Sequence, residues 1–229
     1  MDVHKLQTQR TVDLATALLR DQILGGAVTA GERLPPERSL AQSLGINRQT
    51  LRSALARLES EGLVKARQGS GVTVLDYRLT GGVALLPHLL RVGEPTLLQP
   101  FLTLRRAVAS EAVAVACREA TDTELDALGV LADSLSIEMD IDRLADGNLR
   151  FGRQVLRLAN NLPMELLFNT VTEVYRLRPA LRLALVERAE AVRASFPAIV
   201  ALLRQRDPDL ARTAVREVLE ALDSTVELS

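Results

Sequence analysis

The chain has 229 residues, 47% hydrophobic and 25% charged, with a net charge of −1. That length supports one or two domains; no stretch approaches the roughly 20 uninterrupted apolar residues of a membrane span, and MDVHKLQTQR at the start lacks the apolar segment of a secretion signal. The single cysteine, Cys117, excludes an internal disulfide framework, and two histidines, His4 and His88, are too few for a metal centre built on several imidazole or thiolate ligands. The expectation is a cytoplasmic protein with no metal and no cofactor.

Charge is uneven: residues 1–75 hold ten Lys/Arg against seven Asp/Glu, net +3, whereas residues 76–229 hold eighteen against twenty-two, net −4. A small basic module therefore precedes a larger acidic one. Val12, Ala15, Leu19 and Ile23 fall on one face of a helix that stops at Gly25-Gly26. In GERLPPERSLAQSLG a short extended piece leads to a second helix, opened at Pro36, whose missing N–H costs nothing in a first turn, and closed at Gly45. Asn47 is a good N-cap for a third helix, in which Leu51, Ala54, Leu55 and Leu58 make one buried stripe. Beyond Gly62, LVKAR and GVTVL read as two strands joined by the turn Gln68-Gly69-Ser70, where Gly69 can take positive φ.

Three helices followed by a hairpin spell a winged helix-turn-helix. Gln49, Arg52, Ser53 and Ala56 lie opposite the leucine stripe of the third helix, with Arg48 and Thr50 flanking at its N-terminal end. A recognition helix reads base edges from its N-terminal turns, where backbone N–H groups and the helix dipole also favour phosphate. The guanidinium forks of Arg48 and Arg52 match guanine O6 and N7, and Gln49 can pair with adenine. Arg38 and the wing tip Gln68-Gly69 are placed to meet the DNA backbone or an adjacent groove.

The segment ERLPPERSLAQSLGINRQTLRSALARLESEGLVKARQGSGVTV resembles the DNA-binding domain of the GntR family of bacterial transcription regulators, in which a Leu-Pro-x-Glu-Arg-x-Leu-Ala segment, an x-Arg-x-Thr-x-Arg-x-Ala-Leu helix and a Gly-x-Gly wing recur. The resemblance implies that Arg38, Arg48, Thr50 and Arg52 contact double-stranded DNA within a homodimer on a short inverted repeat. Asn47 and Gln49 replace threonines of the FadR subfamily, which implies different bases read at those points.

From Gly81 onward the pattern is almost entirely helical, over roughly 83–92, 96–119, 122–138, 140–160, 163–178, 180–205 and 208–226. Thr121 with Glu124 forms a capping box, and Asp207 followed by Pro208 is an N-cap with proline at the first helical position. Long amphipathic helices joined by short turns must pack antiparallel, giving a helical bundle. The predicted architecture is mostly α: a winged helix-turn-helix over residues 1–75, a linker over 76–82 and an all-α antiparallel bundle over 83–229. The bundle could serve dimerisation, ligand reception or catalysis. Catalysis is disfavoured because neither histidine neighbours a nucleophile or carboxylate motif and Cys117 sits on an apolar stripe, as a buried thiol does. Arg105-Arg106, Asn148, Tyr175 and Arg216 are polar positions able to converge.

LTLRRAVASEAVAVACREATDTELDAL and NLRFGRQVLRLANNLPMELL also resemble the C-terminal effector domain of the FadR subfamily, most members of which bind a divalent metal through one aspartate and three histidines. The matching positions here are Asn148, Gly152, Phe196 and Val218, which offer no such donor set. The resemblance therefore implies a metal-free effector pocket lined by Arg105, Asn148, Gly152, Tyr175, Phe196 and Arg216, with long-chain acyl-CoA as the leading ligand. A small organic acid held by Arg105, or a constitutive DNA-binding dimer with no ligand, are the alternatives. Val218-Leu219 depart from the Tyr-Gly of the acyl-CoA-binding relatives.

Overall fold

The computed structural model describes residues 3–67, 69–92, 95–177, 181 and 187–223. The chain divides into two compact units, residues 1–93 and 94–229.

In the first unit, α1 (Val3–Leu24), α2 (Glu37–Ser43) and α3 (Arg48–Ser60) are followed by β1 (Val64–Arg67) and β2 (Gly71–Val74). The predicted faces are the buried ones. Val12, Ala15, Leu19 and Ile23 are at most 7% exposed, and Leu51, Ala54, Leu55 and Leu58 at most 5%. Each leucine buried this way contributes roughly 1.5–3 kcal/mol. β1 and β2 pair antiparallel, with Val64 opposite Val74 and Arg67 opposite Gly71. The extended piece before α2 joins them: the Leu34 amide donates to the Val72 carbonyl and the Val74 amide to that of Glu32, both across 2.9 Å. Its backbone groups are satisfied by the hairpin rather than by water.

Residues 76–92, expected as a linker and the first bundle helix, instead pack within the first unit. Asp76 caps the short helix α4 (Tyr77–Thr80) by accepting from the Arg78 amide. The Thr80 hydroxyl donates to the Gly62 carbonyl across 2.7 Å. Gly62 has φ +75°, and a Cβ there would stand 2.2 Å from the Thr80 carbonyl oxygen, so only glycine permits this approach. After a 3₁₀ turn at Val83–Leu85, α5 (Leu86–Val92) buries Leu89 and Leu90 and pairs Arg91 with Asp21 of α1. Leu85, Leu89 and Leu90 carry this stretch onto the N-terminal core, which moves the compact boundary from the predicted 82/83 to 93/94. Composition alone does not show which neighbour an apolar stretch joins.

The second unit is a helical array: α6 (Leu98–Glu119), α7 (Asp122–Ser136), α8 (Ile141–Leu158), α9 (Leu162–Leu177), α10 (Ala189–Arg204) and α11 (Pro208–Asp223). The capping box is formed, with the Thr121 hydroxyl accepting from the Glu124 amide and the Glu124 carboxylate from the Thr121 amide. Asp207 accepts from the amides of Asp209 and Leu210 at the start of α11. The predicted 180–205 helix is seen as α10 from Ala189; residues 178–180 and 182–186 lie outside the described residues. The core gathers Val113, Leu125, Leu128, Leu144, Phe151, Phe196 and Leu203, with the Phe151 and Phe196 rings 5.1 Å apart and tilted by 59°. Cys117 is fully buried in it, and burial pushes its thiol pKa up.

Candidate nucleic-acid interface and ligand cavity

The Asn47 side chain caps α3, its Oδ1 accepting from the Thr50 amide across 2.8 Å. That hydrogen bond satisfies one orphan donor of the first turn and fixes where α3 begins. Arg48, Gln49 and Arg52 are exposed on its first two turns, as is Arg38 on α2. Thr50, expected to face DNA, is only 4% exposed, because it turns toward the leucine stripe rather than away from it. Asn47 is engaged in capping, so its carbonyl oxygen is committed to the helix in this state. Gly69, with φ +78°, shapes the hairpin turn; Gln68 lies outside the described residues.

Sequence reasoning missed Glu37. Its Oε2 accepts from Arg52 Nε across 2.8 Å and stands 3.8 Å from Arg48 Nη2, so one carboxylate at the start of α2 faces both candidate guanine readers. The three residues span eleven to fifteen positions in the chain, beyond any local charge pattern.

In the second unit two adjoining cavities, of about 110 and 60 Å³, share Arg105, Asn148, Phe151, Tyr175, Ile199, Val215 and Leu219. Gly152 and Phe168 add to the larger, Phe196 and Asp223 to the smaller. Five of the six predicted effector residues therefore converge. Arg216 does not: it is exposed and lines neither cavity. It lies nearly in line with Asp223 along α11, but Arg105 and Arg106 reach over the last turn, covering Asp223 and not the turn that carries Arg216.

The polar end of this space is a buried network. Arg105 Nη1 donates to the Tyr175 hydroxyl and Nη2 to Asp223 Oδ1, both across 2.5 Å, and Arg106 Nη1 donates to Asp223 Oδ2 across 2.8 Å. Asp223 is 5% exposed. Burial opposes the Arg105 charge, but Tyr175 and Asp223 more than offset it and its pKa is held above the ordinary arginine value. Burial likewise pushes the Tyr175 hydroxyl up. The opposite wall is aromatic, with the Arg153 guanidinium 5.4 Å from the centre of the Phe168 ring.

Residues 11–74 match the family described as bacterial regulatory proteins, gntR family, and residues 101–221 match the FCD domain. The chain is 30% identical over 216 residues to an uncharacterized HTH-type transcriptional regulator of Mycobacterium tuberculosis, covering 93% of this chain and 88% of that one. The chain belongs to the GntR family of bacterial regulatory proteins.

Among its relatives is the fatty acid metabolism regulator protein of Edwardsiella ictaluri, 27% identical over 173 residues that cover 74% of this chain and 71% of that protein. The fold is shared with Lar, which controls expression of the Listeria monocytogenes agr system, at a TM-score of 0.58 and 20% identity over 92% of this chain and 94% of Lar. Within this GntR-family fold, Asn148, Gly152, Phe196 and Val218 surround the cavities. An amide, a glycine, a phenyl ring and a hydrocarbon do not fit a divalent metal, which needs anionic or imidazole donors. A Cβ at Gly152 would meet the Phe168 ring at 3.1 Å, so any side chain there would press on that ring. Among the described residues no group of three or more His, Cys, Asp or Glu is placed to hold a metal, and no helix is long and apolar enough to cross a membrane.

Proposed function

We propose that the protein is a homodimeric, ligand-responsive transcription regulator that binds a short inverted repeat through α3 and senses an acyl or acidic metabolite in the α6–α11 cavity. Exposure of Arg48, Gln49 and Arg52 on the first two turns of a capped α3 carries the DNA-binding half of this reading. In it, Arg48 and Arg52 read guanine, Gln49 reads adenine, and Arg38 with the Gln68-Gly69 wing tip contacts the backbone. Residues 1–75 are the DNA-contacting domain, braced by residues 76–92. Leu14 and Leu18 on α1, and Val130 and Ile137 on and after α7, are exposed apolar positions, which supports burial against a second copy.

The effector carries an apolar portion in the cavity lined by Val108, Val113, Phe151 and Phe168 and a polar end at Arg105 and Tyr175. Long-chain acyl-CoA is the leading ligand, supported by likeness to a fatty acid metabolism regulator. A small organic acid is the second reading, favoured by the arginine pair. Ligand binding shifts the dimer toward a geometry in which the two α3 helices no longer match successive major grooves. A thermal-shift series with acyl-CoAs and organic acids tests this, because a ligand specific for the folded state raises stability by RT ln(1 + [L]/Kd). Stabilisation that grows with acyl chain length supports the reading; no stabilisation by any of them makes the bundle a scaffold alone.

A further inference from the structure

We propose that Asp223 is a specificity-determining residue of the cavity, setting the charge of the ligand's head group at one. This rests on reading the cavity as the effector site and selects the second occupant proposed for it, a carboxylic acid, over polyanionic acyl-CoA. Asp223 divides its carboxylate between two guanidinium groups, Oδ1 to Arg105 and Oδ2 to Arg106. One negative charge therefore serves two positive ones, in a place where the three side chains are only 7–16% exposed. Among the described residues Asp223 is the acidic lining of the smaller cavity. Arg105 Nε is buried without a hydrogen-bond partner.

A buried guanidinium is stable only when its charge is compensated and its N–H groups are bonded. The cluster thus lacks one anion and one acceptor, which is what a single carboxylate supplies. A head group with two negative charges would instead meet Asp223 as an uncompensated like charge in a poorly screened site. Asp223 completes part of the anion site from within the chain, leaving room for one charge. The remainder of the cavity, walled by Val108, Val113, Phe151 and Phe168, takes the apolar chain.

The test compares octanoate with hexylmalonate, which has nearly the same chain and a second carboxylate at the same end. Binding to the full-length protein is measured by calorimetry at constant ionic strength. Wild type is expected to prefer octanoate, and Asp223→Asn to shift the ratio toward hexylmalonate by roughly tenfold or more. Arg106→Met should weaken octanoate binding by removing the excess charge, and the double variant Arg106→Met/Asp223→Asn should restore it. That double variant keeps the test intact if Asp223→Asn alone does not fold, since it removes both partners of one ion pair. An unchanged octanoate-to-hexylmalonate ratio in a folded Asp223→Asn variant, or octanoate binding that the double variant does not restore over Arg106→Met, overturns the assignment while leaving the cavity as the effector site. Failure of wild type and every variant to bind either acid overturns the effector-site reading together with the assignment.

Discussion

Arg52 of α3 and Glu37 of α2 are joined by a hydrogen bond of 2.8 Å from Nε to Oε2, both side chains remaining accessible to solvent. The pair holds the Arg52 guanidinium against the preceding helix. It also places a negative charge beside Arg48 and Arg52, the residues proposed to read DNA. An exposed pair of this kind contributes about 0–1 kcal/mol to folding, so its consequence lies in binding. Glu37→Ala is expected to leave thermal stability almost unchanged while raising affinity for random DNA and narrowing the ratio of specific to non-specific binding. Competition titrations against random duplex check this; an unchanged ratio would reduce Glu37 to a surface charge.

Arg48→Ala and Arg52→Ala should each cost about 1–3 kcal/mol on the preferred operator and relax discrimination at one base pair per half-site. A uniform loss on every sequence, with a shallower salt dependence, would make that arginine a phosphate contact instead.

The N-terminal unit should respond to its docked helix. A fragment of residues 1–93 should be more stable than one of residues 1–75, because the shorter fragment loses the buried Leu85, Leu89 and Leu90 and the Arg91–Asp21 pair. Each leucine is worth roughly 1.5–3 kcal/mol when fully buried. Gly62→Ala should destabilise both the fragment of residues 1–93 and the full chain, since its Cβ meets the Thr80 backbone. Denaturant titrations of the two fragments check these outcomes, and equal midpoints would contradict the docking of α5.

His88 on α5 gives the same unit a pH dependence. Burial lowers its pKa below the ordinary 6.5, helped by Arg20 and Arg91 and opposed by Glu61 and Asp21. The unfolded chain therefore binds the proton at a higher pH than the folded one. Stability contributed by neutral His88 is fully present above about pH 6.5 and falls as pH drops from there toward the lowered folded value. His88→Gln should flatten this part of the stability-versus-pH curve, measured on the fragment of residues 1–93; an unaltered slope between wild type and variant would remove His88 as its source.

DNA binding should be insensitive to EDTA and to added zinc, and Gly152→His should impair the ligand response by pressing on Phe168 without creating a metal site. Stoichiometric zinc or nickel in the purified protein, stripped by chelator with loss of ligand binding, would overturn the donor-set argument around Asn148, Gly152, Phe196 and Val218.

Local rules made much of this molecule legible. The stripe of Leu51, Ala54, Leu55 and Leu58, the Asn47 cap and the Thr121–Glu124 box depend on residues three to seven apart, and the structure forms all of them. Thr50 turns inward, 4% exposed, because a helix edge can turn either way and packing by the leucines decides it. Arg216 and Asp223 share an azimuth, yet only the turn reached by Arg105 and Arg106 is covered. Glu37, Asp223 and Phe168 were invisible for a common reason: each acquires its role from a partner eleven or more residues away, on another helix. The docking of α5 onto α1 is of the same kind.

In the proposed function a dimer of this chain reads an inverted repeat and releases it on binding an acyl or acidic ligand. The most direct measurement selects binding sites from a random duplex pool with the purified full-length protein, then repeats the binding with an acyl-CoA and organic-acid panel. The expected result is enrichment of one inverted repeat, bound by one dimer, lost or shifted in Arg48→Ala and Arg52→Ala, and weakened by at least one compound of the panel. A pool that stays random, or a single asymmetric site bound by a monomer, would contradict it.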